Sequence, residues 1–295
     1  VIVNTIREVR VYAPNGESVD FHLKEPNYVL NRASFDNYLA DLAKKNGAKY
    51  FLGKKFTDFK DNKIFFHDKS VFETDFVVGA DGPMSAVAKK AGLFHSRKFM
   101  TGMQVRAKGK FEKEQFVVYL GEGYFGWSVP ENSSYSRVGV IAADGKPKVY
   151  FDEIMKKVNG TFVEYQSGLI PLYQPGIKCQ KDNVYLLGDA ATQCKGSTHG
   201  GIIQGMIAAT ALRDAILTGK FYDRLWKKRL RRDLYVHLLI RKKIDSMKEK
   251  DLNLLIKLVN KEKVKNILEA YDRDFASKIV FKTLINEPRF LKLAI

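Results

Sequence analysis

The spacing of apolar positions changes several times along the chain. In residues 5–30, "IREVRVYAP" and "ESVDFHL" alternate apolar and polar positions around Asn15-Gly16, which predicts two strands joined by a turn. The spacing then becomes helical in "YVLNRASFDNYLADLAKKNGAKYF". Phe35, Tyr38, Leu39, Leu42 and Ala43 form one stripe, Ser34 is a suitable N-cap and Gly47 a suitable stop. A strand, "AKYFLG", is expected next, with the helix packed on a sheet. Short strands with turns follow in "FTDFKDNKIFFHDKSVFETDFVVGADG", ending in the buried strand "DFVVGA". Residues 99–142 alternate again and predict several antiparallel strands. A short helix is expected around "VYFDEIMKKV", then the buried strand "VYLL" and an alanine-rich helix. From Lys220 onward the pattern is helical.

This order predicts an α/β (α+β) fold: an α/β layer interleaved with an antiparallel β-sheet, plus C-terminal helices. The expected division is residues 27–98 and 168–219 for the cofactor domain. Residues 1–26 and 99–167 form the antiparallel substrate domain, and residues 220–295 a basic helical region.

At 295 residues the chain can bury a sizeable core, and 45% hydrophobic with 28% charged residues is an ordinary globular balance. It starts at Val1 without an initiator Met or a signal-peptide pattern and is read as trimmed at that end. No apolar run reaches the ~18 to 20 residues of a membrane span. Cys179 and Cys194 form neither a CxxC pair nor a disulfide framework, which favours a reducing cytoplasm; no metal site is expected. The formal net charge of +17 implies an anionic partner, and the excess is densest in "KFYDRLWKKRLRRDLYVHLLIRKKIDSMKEK". There Leu225, Trp226, Leu230, Leu234, Leu238 and Leu239 share one helical face, which suits either a membrane-surface helix or docking on the core. No helix-turn-helix, zinc spacing or RNA-binding aromatic signature points to nucleic acid.

Two buried strands end in glycine and aspartate. The first is "DFVVGADGPMSAVAKKAG", with Asp81 and Gly82; the second is "VYLLGDAATQCKGSTHGGI", with Gly188 and Asp189. Ligands of open α/β sheets collect at the carboxyl ends of strands, where a carboxylate can accept from sugar hydroxyls. The helix opening near Gly200-Gly201 offers free amides and the positive end of a dipole to an electron-rich ligand edge. Either aspartate alone also fits an ordinary turn or cap.

"VVGADGPMSAVAKKAG" resembles the DG motif, and "VYLLGDAATQCKGSTHGGI" the GD motif, of flavoprotein reductases and monooxygenases with the para-hydroxybenzoate hydroxylase fold. Within these, "YVLNRASFDNYLADLAKKNGAKY" and "FGWSVP" (Phe125 to Pro130) resemble the geranylgeranyl reductase family, over roughly residues 5–220. The family includes archaeal enzymes that saturate digeranylgeranylglycerophospholipids. The resemblance implies that the α/β layer is a Rossmann-like FAD/NAD(P)-binding domain with FAD as cofactor, and Arg32 on its phosphates or ribityl chain. Asp189 would take the ribityl or ribose hydroxyls, the backbone of Gly200, Gly201 and Ile202 the pyrimidine edge, and Asp81 and Gly82 the pyrophosphate region. It implies reduction of C=C bonds in polyprenyl chains of membrane lipids by hydride from reduced flavin N5. NAD(P)H or a ferredoxin would supply the electrons.

In the family a GxGxxG segment and a Cys-Gly segment precede the part that begins here. Their absence implies that the chain lacks its N-terminal portion and binds FAD poorly as it stands. The loop "CKGSTHGG" also departs from the family's P-x-x-G-G-G, with Gly196 near the proline position and His199 for the first glycine; in "FGWSVP", Val129 replaces the usual aromatic. Tyr124, Phe125, Trp127 and Pro130 are the candidate substrate wall, and Gly121, Gly123 and Gly126 between the aromatics imply that something packs closely there. Core packing explains any one of these aromatics equally well. Cys194 and His199 are proton-donor candidates by location only, and an ordinary loop role fits both. An isoprenoid lipid is the expected substrate, with a peripheral contact to the anionic inner face of the membrane from the cytoplasm. A flavin monooxygenase of the same fold is the nearest alternative, and a non-catalytic protein for anionic partners is another.

Overall fold

The computed structural model describes residues 1–271 and 273–290. The chain divides into two compact units: residues 1–49, 100–168 and 242–295 form the first, and residues 50–99 and 169–241 the second.

The first unit is built on a seven-stranded sheet. The chain enters as a hairpin, β1 (Ile2–Tyr12) and β2 (Ser18–Leu30), followed by helix α1 (Arg32–Lys45). In the second unit lie β3 (Phe56–Lys60), β4 (Lys63–Phe66), β5 (Val71–Glu73), β6 (Val77–Gly79) and α2 (Ala86–Lys90). The sheet resumes with β7 (Phe99–Lys108), β8 (Gln115–Gly121), β9 (Tyr124–Pro130) and β10 (Tyr135–Ala142). Helix α3 (Pro147–Val158) and β11 (Thr161–Pro171) complete it, in the order β11-β7-β10-β9-β8-β1-β2. The pairs β7–β10, β10–β9, β9–β8 and β1–β2 are antiparallel, while β1 and β8 run parallel with Val9 opposite Phe116. Strand β11 was not anticipated: nine successive exposed residues from Thr161 remove the alternation that marks a half-buried strand.

Alternation fixes which side of the sheet is core. Val105, Ala107, Val138 and Val140 point to one face, where Phe151 and Ile154 of α3 bury against them. Each such aliphatic side chain contributes about 1.5–3 kcal/mol by leaving water.

In the second unit, β12 (Gln180–Lys181), β13 (Val184–Leu186) and β6 form a small sheet in which β6 and β13 run parallel, Tyr185 opposite Val78. A 3-10 turn (Gly188–Ala191) follows β13, then α4 (Ile202–Thr218) and the long helix α5 (Tyr222–Ser246). The core joins Val77, Leu186, Cys179 and Ala208 to Trp226, Leu230, Leu234 and Leu238 of α5. The apolar face of α5 is therefore covered by the protein; only Leu239 of the six stands 46% exposed. Helices α6 (Glu249–Val259), α7 (Glu262–Ala270) and α8 (Ala276–Asn286) end the chain. In the first unit, the β8–β9 turn holds the start of α6, where Glu122 Oε1 accepts from the Glu249 amide at 2.8 Å.

The structure differs locally from the sequence reading in three places. Helix α1 begins at Arg32, capped by Asn31, whose side chain accepts from the Ser34 amide at 3.0 Å. Ser34 is therefore the third helical residue, not the cap. Its apolar stripe is not packed: Tyr38, Leu39 and Leu42 are 53%, 38% and 39% exposed, and no residue of α1 is buried. Residues 48–53 form no strand. The unit boundaries also run differently from the division read in the sequence. Helix α1 falls in the first unit, and residues 220–241 in the second, because Trp226 and the leucines after it complete that core.

Candidate functional site

The two glycine-aspartate turns lie in the second unit and differ in what their carboxylates do. Gly79 allows a close approach: a Cβ there would meet Leu186 Cδ2 and Val87 Cβ at 2.9 Å each, so its bare Cα packs the strand under α2. After it, the exposed Asp81 folds back on the start of α2. Its Oδ1 accepts from the Ser85 hydroxyl at 2.5 Å, and its Oδ2 from the amides of Ala86 and Val87 at 2.7 and 3.1 Å. Asp81 thus caps α2, the ordinary cap reading of that motif. Gly82 follows at φ +80°, a conformation that favours glycine.

Asp189 opens the 3-10 turn after β13 and is half-buried. Its neighbourhood is set by a buried ring of hydrogen bonds. Gln193 donates its amide to Gly188 O and accepts from the Gly188 amide, both at 2.9 Å. Gln193 Nε2 donates to the Tyr222 hydroxyl at 3.2 Å, and that hydroxyl donates to Leu186 O at 3.1 Å. Gln193 and Tyr222 are both fully buried, so satisfied polar partners hold this turn in one geometry. Burial also raises the Tyr222 pKa and keeps its hydroxyl protonated.

The loop returns to α4 through "CKGSTHGG". The Lys195 amide donates to Gly200 O at 3.0 Å and the His199 amide to Lys195 O at 2.9 Å, closing the loop on itself. His199 adopts φ +56°. Gly201 is the N-cap of α4 and packs on Asp189: a Cβ there would lie 3.1 Å from Asp189 Oδ1 and 3.6 Å from Cys194 Sγ. Gly201 brings no side chain of its own to cap α4, and the first turn of the helix holds no acidic residue. Ile202, Ile203 and Met206 stand 39%, 44% and 38% exposed beside it. The arrangement brings together a half-buried carboxylate, the N-terminal amides of α4 and an exposed apolar face within one turn of the helix. Such a set fits a flat, partly apolar ligand with hydroxyls and an electron-rich edge. FAD has these features.

Two proton-donor candidates sit in this loop. Cys194 is 1% exposed; burial, and then the charge of Asp189, raise its pKa well above the usual thiol value, so it stays a thiol at neutral pH. Burial, and then Arg241, push the His199 imidazole down to about 3, leaving it neutral.

Several contributors were not anticipated. Arg97 ties the two motifs together: Nε donates to Phe94 O at 2.7 Å, Nη1 to Pro83 O at 3.1 Å and Nη2 to Ala190 O at 2.8 Å. Its guanidinium lies 4.2 Å from the Phe94 ring centre. No local pattern marks it, since its partners are carbonyls up to 93 residues away. Gly196 sits against the backbone of α5, and Ser197 Oγ lies 2.6 Å from His237 Nδ1. The odd glycine in the motif was the visible signal for the first of these.

In the first unit, Arg32 is 63% exposed and pairs with Asp36 at 3.3 Å. The aromatic candidates divide between two faces of the sheet. Gly126, Ser128 and Pro130 are buried toward α3; Phe125, Trp127 and Val129 lie on the opposite face. Trp127 Nε1 donates to Gln104 at 3.0 Å, and its ring covers Gly139, where a Cβ would lie 2.4 Å from it. Tyr124 stacks on Tyr150 at 4.0 Å. The close approach inferred at the glycines is made by the protein itself. A Cβ at Gly121 would collide with the Tyr124 ring at 2.1 Å and one at Gly126 with Ile154 at 2.8 Å, while Gly123 makes the turn at φ +73°.

No protein-family profile matches the chain. Curated relatives do match over most of its length. Digeranylgeranylglycerophospholipid reductase 2 of Methanothermobacter thermautotrophicus is 27% identical, over 90% of this chain and 75% of its own. The digeranylgeranylglycerophospholipid reductase of Methanocaldococcus jannaschii is 28% identical, over 98% of this chain and 81% of its own. A solved geranylgeranyl bacteriochlorophyll reductase-like protein from Thermoplasma acidophilum superposes with TM-score 0.83 at 21% identity, over 100% and 84% of the two chains.

Over most of its length the chain is similar to geranylgeranyl reductases, at 27–28% identity. Its fold is that of the para-hydroxybenzoate hydroxylase-like flavoproteins. A halogenase solved in complex with FAD shares the fold more distantly, with TM-score 0.64 at 14% identity over 99% of this chain and 69% of its own. Among the described residues no helix is long and apolar enough to cross a membrane, and no cluster could hold a metal ion.

Proposed function

We propose that this protein is an FAD-dependent oxidoreductase that saturates C=C double bonds in geranylgeranyl or other polyprenyl chains carried on membrane lipids. The observation that carries the reading is near-full-length similarity to digeranylgeranylglycerophospholipid reductases, combined with an Asp189–Gly201 arrangement suited to a flavin.

The chemistry that a bound reduced FAD supplies is hydride donation to one alkene carbon. The chain's own residues do the rest. Asp189 would accept from ribityl or ribose hydroxyls, and the backbone at Gly201 lies beside that carboxylate. The amides at Gly200, Gly201 and Ile202 present the positive end of α4 to the pyrimidine edge, which favours the reduced, anionic form. Arg32, exposed and paired with Asp36, would offer a guanidinium fork to phosphate oxygens. In the DG turn the backbone at Gly82 serves the pyrophosphate region, while the Asp81 carboxylate is occupied by α2. Phe125 and Trp127 offer an aromatic wall to an isoprenoid chain. His199 stays neutral and Cys194 stays a thiol at neutral pH, so neither is assigned as the acid.

NAD(P)H or an acidic protein such as a ferredoxin supplies the electrons, and the net charge of +17 favours an acidic donor and a peripheral contact with anionic membrane. The decisive experiment incubates the full-length gene product, reduced and anaerobic, with a digeranylgeranyl glycerophospholipid and follows product mass. Stepwise gains of two hydrogens are expected. A protein that holds flavin but leaves the lipid unsaturated, while consuming oxygen in step with NAD(P)H, would overturn the reading.

A further inference from the structure

The second unit carries a cleft of about 800 Å³ distinct from the glycine-aspartate turns. One wall is α5, which contributes Lys227, Arg231 and Tyr235 at successive four-residue steps, with Arg232 and Val236 beside them. Residues at that spacing share one helix face. The other wall is the loop between β11 and β12, with Tyr173, Pro175 and Gly176. None of the eight lining residues is acidic.

The charges of this wall are not all spent within the protein. Lys227 lies 3.4 Å from Asp223, which is itself held in the core by the Cys179 amide at 3.1 Å and Trp226 Nε1 at 2.8 Å. Asp223 therefore offsets Lys227 and leaves the two guanidinium groups to the cleft. Both arginines are exposed, while Tyr173 is 3% exposed and close enough to Arg231 to feel its charge. Two adjacent guanidinium groups present paired N–H donors in the fork that matches phosphate oxygens. Tyr235, 47% exposed, adds apolar ring area on which the body of a ligand can rest, and the volume exceeds that of a single inorganic ion.

We propose that this cleft is a binding site for a phosphate-bearing anion, held by Arg231 and Arg232 with Lys227 in support. The ligand is either a lipid phosphate headgroup or a free phosphate compound. The site does not depend on flavin, so it stands or falls separately from the reductase reading. Both walls also reach the GD loop: Gln174 donates its amide to Thr192 Oγ1 at 3.1 Å, and α5 meets Ser197 through His237 at 2.6 Å. Occupancy of the cleft would thus stiffen the loop that carries Cys194 and Gly201.

The test uses the full-length gene product and two variants of equal charge. One is the double variant Arg231→Gln/Arg232→Gln in the cleft. The other is Lys228→Gln/Lys242→Gln, at exposed positions of the same helix outside it. Inorganic pyrophosphate is titrated by calorimetry, and vesicles of phosphatidylcholine with and without phosphatidylglycerol are co-sedimented. All four altered positions are exposed, so both variants should fold, as circular dichroism would verify. The cleft variant should lose at least about tenfold in affinity for pyrophosphate, for anionic vesicles, or for both, while the control stays within about twofold of the parent. Selective loss with vesicles alone identifies a lipid headgroup; loss with pyrophosphate identifies a free phosphate compound. Equal losses in the two variants would reduce the effect to overall charge and overturn the proposal, as would a parent protein that binds neither probe.

Discussion

Gly196 lies against the backbone of His237: a Cβ at this glycine would be 3.1 Å from the His237 carbonyl oxygen and 3.2 Å from Leu238 Cα. The GD loop is thereby seated on α5 at a distance where an added Cβ would press on helix backbone. The neighbouring Ser197–His237 contact at 2.6 Å fixes the same junction. The unusual glycine in the motif is a packing requirement of the helix behind the loop.

Gly196→Ala should therefore destabilise the protein by about 1–3 kcal/mol, the usual range for overpacking against atoms that cannot yield. Urea unfolding measures this directly, and flavin retention should fall with it because the loop would be displaced. Unchanged stability would mean that α5 and the loop separate at little cost.

Asp189→Ala should weaken FAD binding roughly ten- to a hundredfold, the loss expected when a carboxylate that accepts from ligand hydroxyls is removed. Titrating the apoprotein with FAD by fluorescence quenching reads it. Asp189→Asn should fall between the two, since an amide oxygen still accepts. An affinity equal to the parent's would remove Asp189 from the proposed site.

Arg97→Lys should fail to rescue Arg97→Ala. One ammonium cannot reach the carbonyls of Phe94, Pro83 and Ala190 together as the guanidinium does. Each variant should lose about 2–3 kcal/mol of stability. Hydrogen exchange should report faster opening in both the DG and the GD turns. Faster exchange in only one of them would show that Arg97 does not join them.

Acid stability should depend on His199. Its folded-state value of about 3 lies below the unfolded value near 6.5. Below pH 6.5 the unfolded chain takes up the proton and the folded chain does not. Stability should therefore fall as pH drops from about 6.5 toward 3, with a limiting slope of about 1.4 kcal/mol per unit. His199→Asn should flatten that limb, because asparagine has no proton to gain and tolerates the positive φ of this position. Stability curves that run parallel for parent and variant would place His199 in contact with water.

Much of the fold was legible because period is a local property. The hairpin at Asn15-Gly16, the antiparallel strands of residues 99–142, the strand before Asp189 and the helices after Lys220 all follow from alternation, helical spacing and turn chemistry. Helix α1 shows the limit of that reasoning. Its apolar stripe is real, but spacing says nothing of what it meets, and its side chains remain exposed. The face of α5 was ambiguous for the same reason; the burial of Trp226, Leu230, Leu234 and Leu238 decides it in favour of the core.

The site divides in the same way. Asp189 and the pair Gly200-Gly201 could be picked out because motif residues lie close together in sequence. Asp81 could be picked out too, yet only its contacts with Ser85, Ala86 and Val87 show a helix cap. The glycines among the aromatics pointed to close packing, and close packing is there, made by Tyr124 and Ile154 from within. By itself the sequence determined element types, the two strand-end turns and the basic charge of α5, all set by neighbouring residues or by composition. The tertiary structure decided which carboxylate is spent on a cap, which apolar faces are covered, and that Arg97, Gln193 and His237 shape the loop. Those outcomes depend on partners far apart in the chain, and neither propensity nor spacing encodes a distance between them.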